Sequence, residues 1–476
     1  MKERMRWWLI GAAAAGSLMA ARRTSAQAAA EQASMTLDAF LAPSPGGLTS
    51  DQAARAAERT TYDAAQRRQE VAAAEAKVDE AMVAYWPKLA LTAAYTHYSP
   101  LDITSVTVQT GAGPSQPLPI PIVLNAYNFQ ATLTVPISDY IFRLSQSYAS
   151  ASRSRRASEI NERAARLNAA LDGRNAYYAW VRARAQVFVS ERALEQSKAH
   201  LEDAKNGFEA GTASKADVLL VEAQVANSEL LVEQAKNAAS LTDKQLKTIM
   251  HDVSKQSYQI GEDIRIELPP MELADLTTLQ AEAMEKRLEV RALDETAWSF
   301  REQAKVARGA YFPRLDGVGN AVYANPNQRV FFPDGKFHAT WDVGLRLTWT
   351  PNDAFTGKGS AAEAEAHALQ TELQKAQLSD SIGIEVVQAV QGVREAEFAT
   401  QSNKRAFNSA REGFRVRREL FRNGRATSVE LSDAELELTR AALNLVDVQA
   451  NLLYARVRLL HVVGRDVPSP DSTAAR

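Results

Sequence analysis

The side chains that could carry chemistry in this sequence are mainly histidines and carboxylates, because the chain contains no cysteine. The six histidines are scattered and form no His-Glu-x-x-His pair of the kind that binds zinc on a helix. Gly357-Lys358 lacks the upstream glycine of a phosphate-binding loop, and Gly317-Val-Gly319 lacks the third glycine of a dinucleotide-binding fingerprint. The sequence therefore predicts a protein that is not an enzyme and that has no metal site and no cofactor.

Two carboxylates have a spacing with a clear structural role. Asp217 follows Ser214 by three residues, and Glu430 follows Thr427 by three residues. A hydroxyl side chain followed at this distance by an acid forms a capping box at the start of a helix, and an acid there is also favoured by the helix dipole. The sequence predicts that both acids lie in the first turn of a helix.

The segments before these helices belong to an internal duplication. Phe208-Glu-Ala-Gly211 recurs 213 residues later as Phe421-Arg-Asn-Gly424, and Tyr85-Trp-Pro-Lys-Leu89 recurs 226 residues later as Tyr311-Phe-Pro-Arg-Leu315. Each glycine suits the left-handed residue at a helix C-terminus. We therefore predict two repeats, at residues 48–268 and 269–467, with helical hairpins that turn at Gly211 and Gly424.

Long tracts without proline and a strict heptad spacing predict coiled coils in these hairpins. No proline occurs between Pro136 and Pro269 or between Pro351 and Pro468. A 3-4 spacing after the first turn selects Val218, Val221, Val225, Ser228, Val232, Ala235, Ala239, Thr242, Leu246 and Ile249. The equivalent residues of the second repeat are Leu431, Ala434, Leu438, Ala441, Leu445, Val448, Leu452, Ala455, Leu459 and Val462. The facing seam of the first hairpin is predicted to contain Trp180, Val187, Leu194, Leu201 and Phe208.

Between the helical tracts the period changes to two, which predicts β-hairpins at residues 89–135 and 315–349. One face of these four strands is apolar, and the other is polar and includes Asp342 and Arg346. An ordinary sheet covering its own core is one interpretation. However, Trp341 and Trp349 are eight residues apart, about 26 Å of strand, which resembles the spacing of aromatic girdles on a membrane barrel. The predicted lipid-facing residues are Tyr127, Phe129, Leu133, Val135, Trp341, Val343, Leu345, Leu347 and Trp349.

Four strands cannot close a membrane barrel, and open strand edges are not tolerated in lipid, so we expect copies of the chain to pool their strands.

A positive leader and the apolar run from Trp7 to Ala21 predict a signal peptide at residues 1–28, although an uncleaved anchor is an alternative. A linker at 29–47 and a tail at 468–476 complete the predicted domains. The formal net charge of −2 gives no indication of nucleic-acid binding.

These residues together resemble the TolC-like outer-membrane efflux proteins over residues 48–464. The most specific marks are the repeated Tyr-aromatic-Pro-basic-Leu segment before a strand and the repeated aromatic-x-x-Gly turn with an acid six residues later. The resemblance implies a mainly helical fold in which three protomers each give four strands to one transmembrane β-barrel. Their long antiparallel helices would form a trimeric α-barrel that extends from the outer membrane into the periplasm.

The resemblance also implies where function is located. The protein would be the passive channel-tunnel of a tripartite efflux or type I secretion system. Its hairpin turns, at Gly211, Thr212, Gly424 and Arg425, would dock a periplasmic adaptor protein.

Family acids at the periplasmic constriction correspond to Asp217, Glu430 and Asp433, although helix capping alone also explains the first two. Rings of carboxylates there would favour cations and raise their own protonated fraction through mutual repulsion. Because the sequence contains no nucleotide site, an inner-membrane pump would have to supply the energy. The alternative from another class is a structural coiled-coil spacer or adaptor of the periplasm.

Overall fold

The computed structural model describes residues 37–100, 106–108, 116–118, 123–254, 256–265, 269–330 and 335–466. The predicted signal peptide, the first part of the predicted linker and the predicted C-terminal tail lie outside these residues. Within them the helices are α1 (Leu37–Phe40), α2 (Ser50–Thr60), α3 (Tyr62–Val83), α4 (Asp139–Phe142), α5 (Leu144–Glu209), α6 (Lys215–Ile249), α7 (Leu276–Lys286), α8 (Leu288–Arg308), α9 (Pro351–Arg422) and α10 (Ser428–Val462). The strands of the described ranges are β1 (Lys88–His97), β2 (Val106–Val108), β3 (Gln116–Leu118), β4 (Asn125–Val135), β5 (Arg314–Asn325) and β6 (His338–Thr348).

Four of these strands form one antiparallel sheet with the order β1-β4-β5-β6. The sheet confirms the four predicted strands, and each one begins and ends within a few residues of its predicted bounds. Trp349, which was predicted as a strand residue, lies one position after β6. Strands β2 and β3 pair with each other in a short ribbon between β1 and β4, which the sequence did not predict.

The chain divides into two compact units. One unit comprises residues 66–163 and 288–380 and contains the sheet with α4, α8 and all but the first four residues of α3. The other comprises the described residues of 1–65, 164–287 and 381–476 and contains both hairpin turns. Within this second unit, a core cluster that includes Tyr177, Trp180, Leu246 and Val446 is buried.

The long helices form the two predicted hairpins, α5 with α6 and α9 with α10, and the heptad seam predicted for α6 is largely buried. Its buried members are Val221, Val225, Ser228, Val232, Ala235 and Leu246. The seam predicted for α5 is wrong near the turn, since Phe208 is 48% exposed. The buried residues there are instead small or polar: Ser190, Ala193, Ser197, His200 and Ala204. Small side chains let α5 approach two helices at once, because Ser197 contacts both Ser228 of α6 and Glu435 of α10.

Helix α10 has a second buried seam one residue after the predicted one. It is formed by Ser432, Glu435, Thr439, Ala442 and Val446. Contacts from this side of α10 reach α5, as in the 3.0 Å hydrogen bond that Gln186 Nε2 donates to Asp447. A helix that packs against two neighbours needs two such stripes, and the sequence search found only the more apolar of them. No helix in the described ranges is both long enough and apolar enough to cross a bilayer.

Candidate functional site

One face of the sheet consists of apolar side chains that contact water in the single chain. The register places Leu133, Gly319 and Val343 side by side on this face, because directly paired residues of an antiparallel sheet point the same way. The eight predicted lipid-facing residues that lie in β4 and β6 all belong to it. On β6 the exposed fractions reach 73% for Trp341 and 77% for Val343. A surface of this kind is unusual on a water-soluble protein and marks a site of interaction.

Aromatic residues concentrate at both ends of this apolar face. At the loop end, Phe337 lies 5.0 Å from Tyr323 and 6.0 Å from Tyr127 between ring centroids, and Tyr127 lies 5.1 Å from Tyr95. At the helix end, Trp86 and Trp349 are 72% and 58% exposed. The sequence identified only Trp341 and Trp349 as a girdle pair. The aromatic residues at the loop end could have been predicted from the sequence, because Tyr95 and Tyr323 occupy odd-numbered positions, as the residues of the apolar face do.

The opposite face of the sheet carries hydrogen-bonded polar side chains. Asn320 on β5 accepts hydrogen bonds from Thr132 at 2.9 Å and from Gln130 at 3.3 Å. Its amide donates to the Asp342 carboxylate on β6 at 2.8 Å. This chain of contacts crosses three strands, and its members are only partly buried, which suits a surface in contact with water.

The two hairpin turns have the geometry that their glycines predict. Gly211 and Gly424 have φ angles of +77° and +68°. The amides of the next residues, Thr212 and Arg425, each donate a 2.8 Å hydrogen bond to the carbonyl five residues earlier. This pattern is the Schellman motif, in which the left-handed residue is nearly always glycine. Docking of a partner at these four residues stays a prediction.

The acids Asp217 and Glu430 cap the helices that follow the turns. The backbone amide of Ser214 donates to Asp217 at 2.9 Å, and that of Thr427 donates to Glu430 at 2.9 Å. The hydroxyl of Ser214 is the main cause that lowers the pKa of Asp217 below its usual 3.8. The amide of Thr427, followed by Arg417, lowers the pKa of Glu430 below 4.5.

The lowered pKa values have a definite consequence for pH dependence. Stability from the two caps is present above the ordinary pKa values and is lost as the pH falls from them through the lowered ones. In the single chain, the pKa values of Asp217 and Glu430 are therefore lowered, whereas mutual repulsion in a ring of carboxylates would raise them.

Arg417 is a residue that the sequence analysis missed. Its guanidinium lies 2.5 Å from the Glu430 carboxylate and joins α9 to the start of α10 across the turn. The signal for it was the hairpin geometry, because residue 417 lies seven residues before Gly424 and residue 430 lies six residues after it, so the two positions face each other near the turn. In the first repeat the equivalent position is Ala204, so Asp217 has no such cation opposite it.

The third predicted acid, Asp433, is exposed on α10. Within the described part of the chain, its side chain has no hydrogen bond or ion pair. No such contact joins any two of Asp217, Glu430 and Asp433 within this single chain. The structure therefore leaves their role at a constriction as a prediction.

A buried polar group near the turns was also missed. Glu435 is 2% exposed, and its carboxyl group accepts a 2.8 Å hydrogen bond from Ser197. His200 Nδ1 lies 3.7 Å from the other carboxyl oxygen, and His200 Nε2 lies 3.2 Å from the Ser428 hydroxyl. The distance of 3.7 Å is too long for a hydrogen bond, so His200 Nδ1 has no hydrogen-bond partner among the described residues. In the described ranges, no group of three or more histidine and carboxylate side chains could hold a metal ion.

The chain contains a sheet with one exposed apolar face and two long helical hairpins, which is the fold class expected of outer-membrane efflux proteins. The chain belongs to the outer membrane efflux protein family, whose profile matches residues 55–250 and 279–465. The two matched segments fall within the two predicted repeats, in agreement with the internal duplication. No curated protein sequence matches the chain.

Solved channel structures share the fold. CusC, described as a transmembrane channel, has a TM-score of 0.73 and 14% identity, covering 87% of this chain and 92% of its own. The CmeC outer membrane channel of Campylobacter jejuni has a TM-score of 0.71 and 15% identity, covering 90% and 91%. The open state of the MtrE outer membrane channel of Neisseria gonorrhoeae has a TM-score of 0.71 and 16% identity, covering 88% and 91%. The predicted fold class, mainly helical with four antiparallel strands, is confirmed.

Proposed function

We propose that this protein is the passive outer-membrane conduit of a tripartite efflux or type I secretion system. The two-faced sheet is the observation that carries the proposal. Lipid would contact the apolar face between its two aromatic ends, and water would contact the hydrogen-bonded face that includes Asn320 and Asp342. We propose that the nine residues predicted from the sequence to face lipid do contact lipid.

The edges of this sheet require other copies of the chain, and we propose that the assembly is a homotrimer. In the single chain β1 and β6 are the outer strands, and each leaves backbone groups without a partner strand. Unpaired backbone groups are costly in hydrocarbon, so the sheet must close with other copies. Three copies with four strands each give a barrel of a size known for outer-membrane proteins.

Export through such a conduit requires partners on the periplasmic side. The turns at Gly211 and Gly424 present Thr212 and Arg425 on exposed loops, which suits docking of a periplasmic adaptor protein. An inner-membrane pump would supply the energy. The repeats proposed at residues 48–268 and 269–467 each contribute one such turn.

Conductance separates this function from that of a structural spacer or adaptor. We expect the purified protein to require detergent for extraction and to conduct ions in a planar bilayer. A spacer shares the coiled-coil hairpins but would be extracted in aqueous buffer and would pass no current. A protein that is extracted without detergent and passes no current would contradict the proposed function as a conduit.

Lysine in place of Asp433 is expected to lower the preference for cations in single-channel records. The substitution reverses an exposed charge that no neighbour in the described chain neutralises, and charged rings set ion preference at a narrow pore. We expect the potassium-to-chloride permeability ratio to fall by about twofold. Asp433→Glu, which keeps the negative charge at the same position, is the control and should leave the ratio unchanged. Equal records for Asp433→Lys and the wild type would remove Asp433 from the constriction.

Glutamate in place of Gly424 or Gly211 is expected to abolish export without disrupting the trimer. A Cβ at either glycine meets no atom within 4 Å, so the substitution strains only the left-handed backbone, by about 1–2 kcal/mol. Asparagine tolerates this conformation and provides the matched control. The measurements are trimer mass in detergent and cross-linking to the adaptor. Normal cross-linking and export by the glutamate variants would show that the turns do not dock a partner.

A further inference from the structure

The segment that follows β5, here called the mouth loop and comprising residues 326–330, folds back onto the polar face of the sheet. Asn327 donates hydrogen bonds to the His338 carbonyl at 2.9 Å and to the Thr340 hydroxyl at 3.1 Å. Thr340 lies on the polar face, because its pair with Val322 is two residues along both strands from the pair of Asp342 with Asn320. Asn327 is only 3% exposed, so the loop is anchored there.

This anchor positions the side chain of Arg329. The Arg329 amide donates to the side chain of Asn327 at 3.0 Å, which fixes the backbone. Its guanidinium donates to the Trp341 carbonyl at 3.0 Å, and Nη2 lies 3.6 Å from the Asp342 carboxylate. The same carboxylate is held from β5 by Asn320 at 2.8 Å. The Arg329 side chain is still 57% exposed, so its charge remains open to solvent.

We infer that Arg329 determines ion selectivity at the loop end of the channel by neutralising Asp342 on the water-facing side of the sheet. The inference rests on the proposed function, which makes the polar face the lining of the pore. The exposed ion pair between Arg329 and Asp342 contributes little to the stability of the fold. Stability therefore does not explain why the mouth loop holds Arg329 beside Asp342. Charged side chains that line a water-filled pore influence which ions pass. Without Arg329, three copies of Asp342 would face the water uncompensated and would favour cations.

The absence of cysteine from the chain makes a direct test possible, because Arg329→Cys introduces the only thiol. After reconstitution in a planar bilayer, this thiol can be modified with a negative or a positive alkyl methanethiosulfonate. Each reagent forms a mixed disulfide and releases methanesulfinate, so the charge changes after folding is complete. Lys77→Cys, on helix α3, is the labelling control.

We expect Arg329→Cys to raise the potassium-to-chloride permeability ratio by about twofold. The negative reagent should raise the ratio further, and the positive reagent should return it towards the wild-type value. Modified Lys77→Cys should behave like the wild type throughout.

Two results would overturn the inference while the wild type still conducts. One is a thiol at residue 329 that mass spectrometry shows to be modified while the permeability ratio stays constant with both reagents. The other is a thiol that neither reagent reaches, since this would contradict its open position. A wild-type protein that passes no current would instead contradict the proposed function itself.

Discussion

Arginine in place of Val343 is expected to prevent the sheet from entering a membrane. Val343 lies at the middle of β6 on the apolar face and is 77% exposed in the single chain. An arginine at the midplane of a membrane barrel costs about 2–4 kcal/mol, and a trimer would incur this cost three times. We expect the variant to fail to fold into lipid vesicles, or to unfold at a much lower urea concentration than the wild type.

Gly344→Arg is the matched control, because the adjacent residue points to the opposite face. A Cβ at Gly344 meets no atom within 4 Å, so the site has room for a side chain. Arg346 already places the same group on that face. We expect Gly344→Arg to fold and insert like the wild type. Equal damage from both variants, or none from Val343→Arg, would contradict the assignment of the apolar face to lipid.

Alanine in place of Glu435 is expected to destabilise the helical hairpins by about 2–4 kcal/mol. The substitution removes the carboxyl oxygen that accepts the Ser197 hydrogen bond and leaves Ser197 only its weaker contact with Ser228. It also removes the buried carboxyl group 3.7 Å from His200. It also opens a cavity between α5 and α10. We expect the midpoint of thermal unfolding, followed by circular dichroism in detergent, to fall by several degrees.

Asp433→Ala is the control for this prediction, because it removes an exposed carboxylate half a turn away on the same helix. We expect its unfolding midpoint to match that of the wild type. Glu435→Gln keeps an acceptor for Ser197 and should lie between the two alanine variants. If Glu435→Ala unfolded at the same temperature as Asp433→Ala, the buried group would contribute nothing to the hairpin packing.

The features that the sequence predicted correctly depend on near neighbours in the chain. The capping boxes of Asp217 and Glu430 each span four residues, and the turn glycines act within one helical turn. The alternation that identified the apolar face of β4 and β6 is equally local. Rules of this kind need no knowledge of which elements are neighbours in space.

The features that the sequence missed depend on pairing between distant elements. Glu435 and His200 come from different repeats, and neither residue suggests the other until α5 is known to pack on α10. The mouth loop is similar, since nothing near Arg329 in the chain indicates that it reaches Asp342. The α5 seam was misplaced because the sequence search favoured large apolar residues, whereas close helix packing selected Ser197 and Ala204.

The difference between Ala204 and Arg417 is one reason why the two turns of the duplicated chain are chemically unlike. Added salt should loosen the arginine contact at Glu430, whereas Asp217 has no counter-charge there to lose. If the proposed adaptor docks at the turns and is built from identical modules, it would meet two chemically distinct contact sites on every protomer. Such an adaptor would need a contact surface that accepts both kinds of turn. Otherwise its modules would bind one kind of turn, and another protein would bind the second kind.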